Sequence, residues 1–166
     1  MKTLTLLACS ALALAASTGV ASAQFGPPAR GPAVALALEG AQTAIAACAA
    51  NGYKVSAVVV DSSGAPRVVV SADGAPTVTV DIASRKAYTA NAFKMSSGAA
   101  GEKAKTDQGM AGRMTLDTHM ITWAGGLPLM VGADTIGAIA VSGAPGGDKD
   151  EACVNVGLAK IKDRLQ

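Results

Sequence analysis

The sequence contains few of the residues on which catalytic and ligand-binding sites commonly depend. Its 166 residues include one histidine, one tryptophan and three cysteines, and aromatic side chains make up 3% of the chain. With a single histidine, a Ser-His-Asp triad would have to use His119, and no sequence pattern positions partners for it. Nucleotide-binding loops, zinc-peptidase motifs and nucleophile elbows do not occur either. These absences argue against a hydrolase, and no catalytic residue is predicted.

The chain also has no large excess of charge of one sign. Lys and Arg number 14 against 12 Asp and Glu, which gives a net charge of +2. Nucleic-acid-binding domains normally carry a strongly basic surface, so no nucleic-acid partner is predicted. Ala, Gly and Val are abundant instead, and a core of such small side chains would gain from further burial inside an oligomer.

The N-terminus predicts a secretory signal peptide. Lys2 precedes an apolar run, residues 4–20, and Ala21-Ser22-Ala23 forms an A-x-A cleavage site. The run is too short for a membrane anchor, so we expect cleavage after Ala23 and no membrane attachment afterwards. The alternative, a lipoprotein processing box ending at Cys9, places the cysteine too early for a full apolar region. We therefore expect a periplasmic or secreted protein.

The remaining chain predicts a short linker, one domain and one disulfide. Residues 24–32 are rich in Pro and Gly, and residues 33–166 are long enough for a single domain. Cys48 and Cys153 remain after processing, and an even number of cysteines in an oxidising compartment favours a disulfide. Two buried thiols that pack as small hydrophobic side chains are the alternative.

Hydrophobic periodicity predicts the element order α-β-β-α-(α)-β-β-α. We expect helices at residues 34–50, 77–95 and 148–165, and strands at residues 55–60, 67–71, 127–131 and 135–141. Two β-hairpins with helices at both ends are typical of an α+β domain, in which the helices pack on one antiparallel sheet. The first and last helices would then lie side by side and bring Cys48 near Cys153.

Three segments give weaker signals. Residues 96–112 are rich in Gly and Lys and predict either a mobile loop or a short helix, and residues 114–123 are ambiguous. Asp148, with Glu151 three residues later, predicts a capping box for the last helix. The glycine-rich loop 142–147 before that helix could bind an anion through its N–H groups, but the acidic first turn would repel phosphate. We therefore expect a structural cap or a subunit contact there.

Five sequence blocks together are similar to the GlcG/HbpS family. In order, they are residues 73–76 (DGAP), 81–90 (DIASRKAYTA), 125–128 (GGLP), 136–143 (IGAIAVSG) and 150–153 (DEAC). The resemblance implies an α+β fold, homo-oligomers that are commonly octamers, and, in exported members, haem binding with haem degradation or iron storage. Related domains also occur beside glycolate-utilisation genes, so the resemblance does not fix one function.

His119 is the first candidate ligand for the haem that this resemblance implies. Imidazole is the commonest protein ligand of haem iron and of transition metals. Met114 and Met120 lie close in sequence and would supply a softer thioether ligand. The alternative is a surface or packed histidine beside ordinary core methionines.

The helix segment that contains Arg85, Lys86, Tyr88 and Thr89 is the second candidate. Arg and Lys side chains would pair with the haem propionates, and a Tyr or Thr oxygen would ligate the iron. Lys86 and Thr89 are the two positions that the resemblance carries over, through the pattern Lys-Ala-x-Thr. The alternative is that Arg85, Lys86 and Lys94 form an ordinary solvated helix face.

The sequence therefore predicts an exported, haem-binding homo-oligomer rather than an enzyme. Its role would be haem or iron capture, buffering or sensing, with any haem breakdown secondary. Haem would lie between the helix that carries Thr89 and the sheet, or between subunits. The scarcity of aromatic side chains counts against a dedicated high-affinity haem pocket. Two alternatives remain: an enzyme or accessory of small 2-hydroxy acid (glycolate) utilisation, and a structural or partner-binding module without haem.

Overall fold

The computed structural model describes residues 28–166. The predicted signal peptide 1–23 and the first part of the predicted linker 24–32 lie outside the described residues. The helices are α1 (Val34–Ala49), α2 (Val78–Phe93), α3 (Ser97–Ala104), α4 (Gln108–Leu116) and α5 (Gly147–Ile161), and the strands are β1 (Ser56–Asp61), β2 (Pro66–Ser71), β3 (Gly126–Val131) and β4 (Asp134–Ser142). Between residues 28 and 166, no helix is long and apolar enough to cross a bilayer.

The four strands form one antiparallel sheet in the order β2-β1-β4-β3. Each predicted hairpin is present, and the two hairpins join where β1 pairs with β4, in a register that places Ser56 opposite Ser142. Gly137 has a φ of 155°, and a Cβ atom there would collide with the Val60 carbonyl oxygen on β1. Glycine is therefore required where the two hairpins meet. The α+β prediction is confirmed.

One face of the sheet is covered by α1 and α5. Their contact is close because small residues line it, and a Cβ atom on Gly157 would lie 2.5 Å from the Gly40 carbonyl oxygen. The buried stripe of α1 consists of Ala37, Ala41, Ala44 and Cys48, and it packs with strand residues such as Val59 and Ile139. Burial of this apolar surface supplies the main driving force for folding.

The disulfide Cys48–Cys153 joins the same two helices and confirms the predicted pairing. Its Cα atoms lie 5.3 Å apart, and the two cysteines are separated by 105 positions in the sequence. Both cysteines are buried among the core side chains between α1 and α5. The bond therefore fixes the first and last helices of the domain to each other.

The other face of the sheet is covered by α2. The buried side of this helix is formed by Ala83, Ala87 and Ala90, which pack on Val58, Val60, Ala138 and Ala140. Alanine has no side-chain bulk beyond Cβ, so the helix axis approaches the sheet closely. The α2 residues on either side of this alanine stripe face neighbouring segments of the chain. The candidate residues of α2 are among them.

The two segments with weak sequence signals have a defined structure. The Gly- and Lys-rich segment forms α3 and α4, and each helix begins at a side-chain cap. Ser96 accepts the Ala99 N–H at 3.1 Å, and Asp107 accepts the Met110 N–H at 3.0 Å. The ambiguous residues 114–123 complete α4 and then continue as irregular chain toward β3.

The predicted capping box of the last helix is wrong. The helix α5 begins at Gly147, one residue before Asp148, and its N-cap residue Gly146 makes no side-chain hydrogen bond. Glu151 accepts a hydrogen bond from the Gly125 N–H at 3.3 Å instead of reaching back to the helix start. Glu151 therefore bonds to a neighbouring segment rather than to the backbone of its own helix.

Candidate functional site

The irregular segment after α4 lies against α2 and brings His119 to the sequence-predicted residues. Arg85 donates a hydrogen bond to the Met120 carbonyl oxygen at 3.0 Å, and Tyr88 donates one to Asp117 at 3.0 Å. The Thr89 hydroxyl accepts the Ile121 N–H at 2.9 Å. Three successive bonds from one helix therefore hold residues 117–121 in place.

Asp117 connects Tyr88 with His119. One carboxylate oxygen of Asp117 accepts the Tyr88 hydroxyl, while the other accepts the His119 backbone N–H at 3.0 Å and lies 3.2 Å from the His119 Nδ1 atom. The Tyr88 and His119 rings have a centroid distance of 5.7 Å. The imidazole is thus oriented by two neighbours, although 78% of its side chain is exposed.

The electrostatics of the cluster favour an ionised Asp117. The His119 backbone N–H, the Tyr88 hydroxyl and the imidazole together hold the pKa of the Asp117 carboxyl below its ordinary value. The same hydrogen bond to Asp117, with burial, raises the pKa of the Tyr88 phenol. A carboxylate at Nδ1 selects the imidazole tautomer with a proton on Nδ1. The Nε2 lone pair of His119 is then free to bind a ligand.

Two grooves meet at His119. The larger one is open, has a volume of about 680 Å³ and is lined by α4 and residues 116–119. The smaller one, about 170 Å³, lies between α2 and the β1–β2 hairpin and is lined by Arg85 and Tyr88 among others. Leu116, with 87% of its surface exposed, adds apolar surface to the larger groove. Arg113 lines the same groove, and its guanidinium lies 5.1 Å from the centre of the Phe93 ring.

Arg85 carries an unpaired donor. Its Nε atom is buried and has no hydrogen-bond partner among the described residues, whereas its terminal nitrogens contact Met120 and Asp81. A buried N–H without an acceptor costs free energy, so an acceptor oxygen that reached this atom would be favoured. Arg85 lines the smaller groove.

Lys86 and Thr89 occupy positions unlike those of a solvated helix face. Lys86 is 1% exposed and forms an ion pair with Asp150 on α5 at 2.6 Å. Thr89 is fully buried, and its hydroxyl donates to the Arg85 carbonyl oxygen at 2.9 Å while it accepts the Ile121 N–H. Neither residue lines the two grooves at His119. Their predicted contacts with haem stay predictions.

The remaining sequence candidates are less well placed for metal binding. Met120 is 4% exposed, and Met114 is only half-buried on α4. Along residues 28–166, no group of three or more His, Cys, Asp and Glu side chains is arranged to hold a metal ion.

Sequence reasoning missed Asp117, Arg113 and Asp150. The Asp-x-His spacing of Asp117 and His119 is a local signal, because an Asp side chain readily accepts the backbone N–H two residues later. Asp150 lies in the block 150–153 that carries the family resemblance, but its pairing with Lys86, 64 positions away, gave no local signal.

Residues 33–159 match the family described as haem-degrading protein HbpS-like. The chain belongs to the HbpS-like family. Among solved structures, the crystal structure of HbpS is 27% identical with a TM-score of 0.74, covering 82% of this chain and 94% of that chain. A double mutant of Streptomyces reticuli HbpS is 28% identical with a TM-score of 0.72, covering 92% and 99%.

A third structure shares the fold of this HbpS-like chain. The crystal structure of a PduOC:heme complex is 22% identical with a TM-score of 0.70, and the match covers 78% of this chain and 94% of that chain. A search of curated protein sequences finds no significant match.

Proposed function

We propose that the protein binds haem at the two grooves that meet at His119. The observation that carries this proposal is the exposed imidazole of His119, held through Nδ1 by the Asp117 carboxylate. Histidine ligands of metals commonly donate their second ring N–H to a carboxylate, which fixes the ring and raises its basicity. The HbpS-like family and the haem complex of a protein with the same fold support haem as the ligand.

The surrounding side chains fit a haem group. Haem combines an apolar macrocycle with two propionates, and the larger groove offers the exposed Leu116 beside the cationic Arg113. The orphaned Nε of Arg85 offers a second propionate partner at the smaller groove. His119 would hold the iron, Tyr88 and Asp117 would orient His119, and the two arginines would hold the propionates. Bound haem would supply redox-active iron.

Export and assembly belong to the same proposal. The A-x-A pattern of residues 21–23 supports export, and the disulfide suits an oxidising compartment. Exposed apolar side chains on the helices and on β2 support assembly into a homo-oligomer such as an octamer: Val34, Leu38, Val69, Val78 and Val156. The resulting function is haem or iron capture, buffering or sensing outside the cytoplasm, with haem breakdown as a secondary activity.

A haem titration of the chain from residue 24 onward, followed by absorbance, tests this function. We expect saturable binding with a defined Soret band in the wild type, and a displaced or lost band in His119→Ala. Thr106→Ala, an exposed residue between α3 and α4 that lines neither groove, is the matched control and should bind as the wild type does. Non-saturable association of haem with wild type would refute the proposal. Loss of the band in Thr89→Ala but not in His119→Ala would move the ligand to Thr89 and contradict the assignment.

A further inference from the structure

A second pocket lies on another face of α2, away from His119. Its volume is about 380 Å³, and it is lined by Lys86, Trp123, Asp150 and residues 142–147 together with the first half of α2. The α2 residues on this pocket, Thr79, Ile82 and Lys86, recur at helical spacing, whereas Asp81, Arg85 and Tyr88 line the smaller groove at His119. We call this the α5 pocket, because the first turn of α5 closes it.

Ser142 places an unpaired hydroxyl at the α5 pocket. The residue is 4% exposed, its hydroxyl has no hydrogen-bond partner among residues 28–166, and its oxygen is still accessible from the pocket. Alternate residues of a strand point to the same face, so Ser142 faces α2 with Ala138 and Ala140. Buried hydroxyl groups normally have a hydrogen-bond partner. The hydroxyl is reachable from the pocket and is therefore available to a ligand atom there.

Lys86 brings a second donor to the pocket. Its ammonium contacts Asp150 Oδ2 at 2.6 Å and the Val141 carbonyl oxygen at 3.1 Å. An ammonium has three N–H donors, so one of them has no acceptor within the described part of the chain. Both carboxylate oxygens of Asp150 are already engaged, because Oδ1 accepts the Ala144 N–H at 2.9 Å. Asp150 therefore cannot accept the remaining N–H of Lys86 through a free oxygen.

The start of α5 supplies a third donor. The N-cap residue Gly146 offers no side chain, and the Gly147 N–H has no acceptor in residues 28–166. Such first-turn N–H groups carry a partial positive charge and favour an anion. Glycine is needed at 147 because Ala124 lies against it, and a Cβ atom there would lie 3.0 Å from the Ala124 carbonyl oxygen.

We propose that the α5 pocket binds the carboxylate of a small organic acid. The Ser142 hydroxyl, the Lys86 ammonium and the Gly147 N–H all need an acceptor, which a carboxylate supplies with two oxygens. Asp150 neutralises most of the Lys86 charge, and the acidic first turn of α5 disfavours a dianion such as phosphate. A monoanion is therefore preferred. The indole of Trp123, 56% exposed, and the side chain of Ile82 face the pocket and suit the carbon part of a small acid.

The expectation that loop 142–147 is a structural cap or a subunit contact stays a prediction. In the proposed site, Asp148 and Glu151 beside the helix start disfavour phosphate. The loop also places the Ser142 hydroxyl and the Gly147 N–H at one cavity. No feature of the local sequence reveals that the second donor, Lys86, comes from α2.

A titration with sodium acetate, followed by ¹H–¹⁵N NMR on the chain from residue 24 onward, tests the proposal. The indole of Trp123 is a specific reporter, because the sequence contains one tryptophan. We expect saturable shifts at the Gly147 amide and the Trp123 indole, and none with acetamide, which has the same shape without the charge. Hydrogen bonds to charged groups are worth enough that Ser142→Ala should weaken acetate binding about tenfold. Ser62→Ala, an exposed serine in the β1–β2 turn, is the matched control.

Several outcomes would overturn the α5 pocket as an acid-binding site. Equal shifts with acetate and acetamide, wild-type affinity in Ser142→Ala, or tighter binding of inorganic phosphate than of acetate would each do so. Competition between haem and acetate for the Gly147 amide would show that the pocket takes a haem propionate instead of a small acid. Failure of acetate to bind leaves the Soret band of the haem titration unaffected, so the two proposals fail separately.

Discussion

Lys86 and Asp150 form a buried ion pair that links the two helical layers past the end of β4. The Nζ and Oδ2 atoms lie 2.6 Å apart, and the residues are 1% and 3% exposed. Gly125 covers the pair with a φ of 118°, and a Cβ atom there would lie 2.7 Å from the Asp150 Cβ atom. Burial raises the pKa of the Asp150 carboxyl, while the Lys86 ammonium and the Ala144 N–H oppose that shift.

We expect Lys86→Met to destabilise the protein severely. The substitution leaves Asp150 buried without its counter-charge, and the loss of one partner of a buried ion pair typically costs about 3–5 kcal/mol. Urea denaturation would show a lower midpoint with an unchanged slope. The free energy of unfolding, compared with that of the wild type at the same pH, measures the effect.

The double variant Lys86→Met, Asp150→Asn provides the control. The Asn side-chain oxygen can still accept the Ala144 N–H, but no buried charge remains unpaired. We expect the double variant to be more stable than Lys86→Met alone. If the two are equally unstable, the cost of the single substitution arises from lost packing and not from an unpaired charge.

Reduction of the Cys48–Cys153 disulfide should lower stability substantially. The bond closes a loop across 105 sequence positions, and a loop of about 100 residues corresponds to about 4–5 kcal/mol in the chain-entropy account. Guanidinium denaturation with and without reductant measures the difference. The variant Cys48→Ala, Cys153→Ala should respond to reductant not at all. An unchanged wild-type midpoint after reduction would contradict a stabilising disulfide.

The fold was readable from the sequence where the signals are local. The apolar spacing that ends at Cys48 predicts α1, and the β-branched runs around Val58 and Val69 predict the first hairpin. Each of these patterns shows which side of a helix or strand is buried. Such a pattern is set by residues that are close together in the sequence. Helix α2 also forms as predicted, although Val78 and Val80 at its start favour strand.

The missed features depend on contacts that are distant in sequence. α3 and α4 lack a clear apolar period, although their cap residues, Ser96 and Asp107, are local signals in the sequence. The capping box at Asp148 failed because α5 begins one residue earlier, at Gly147, and Glu151 accepts the Gly125 N–H in place of a bond to its own helix start. Competition between a local cap and a tertiary partner cannot be judged without knowing which segments meet.

The candidate site was predicted only in part for the same reason. His119 stands out because it is the only histidine in the chain. Its proximity to Tyr88 follows from the path of residues 117–121 over α2, for which the sequence gave no clear pattern. Arg85 and Tyr88 lie at the smaller groove, whereas Lys86, on the same helical turn, points to the α5 pocket. A basic stretch in a sequence does not show on which of these two helix faces each residue lies.

The pKa of Tyr88 should respond to Asp117. In a Tyr53→Phe background, Tyr88 is the sole tyrosine, and phenolate absorbance should show a pKa above the ordinary value of 10.0. Asp117→Asn should bring that pKa back toward the ordinary value because the acceptor loses its negative charge. Since the folded-state pKa is raised, the hydrogen bond stabilises the fold fully below the unfolded-state pKa. That contribution is lost as the pH rises through the folded-state pKa.

Asp73→Asn is the control for this titration. Asp73 lies in the exposed turn after β2, so its substitution should leave the pKa of Tyr88 unchanged. A phenol that ionises at or below the ordinary value in the Tyr53→Phe protein would show that the bond to Asp117 does not form in solution.

Thr89→Val should release the segment that carries His119. Valine matches threonine in shape but cannot accept the Ile121 N–H, which bonds to the Thr89 hydroxyl at 2.9 Å. An unsatisfied buried N–H costs about 1–3 kcal/mol, so both the free energy of unfolding and the exchange protection of the Ile121 amide should fall. Hydrogen exchange followed by NMR measures the second effect at a single residue.

Two variants decide how the Thr89 result is read. Thr115→Val removes a hydroxyl that donates only to the Ala111 carbonyl oxygen on an exposed side of α4, so it should change neither quantity appreciably. Thr89→Ser keeps the hydroxyl and should restore protection of Ile121. If Thr89→Val leaves the Ile121 amide fully protected, the hydroxyl is not engaged by the backbone in solution. It would then be free to ligate iron, and the case for His119 as the haem ligand would weaken accordingly.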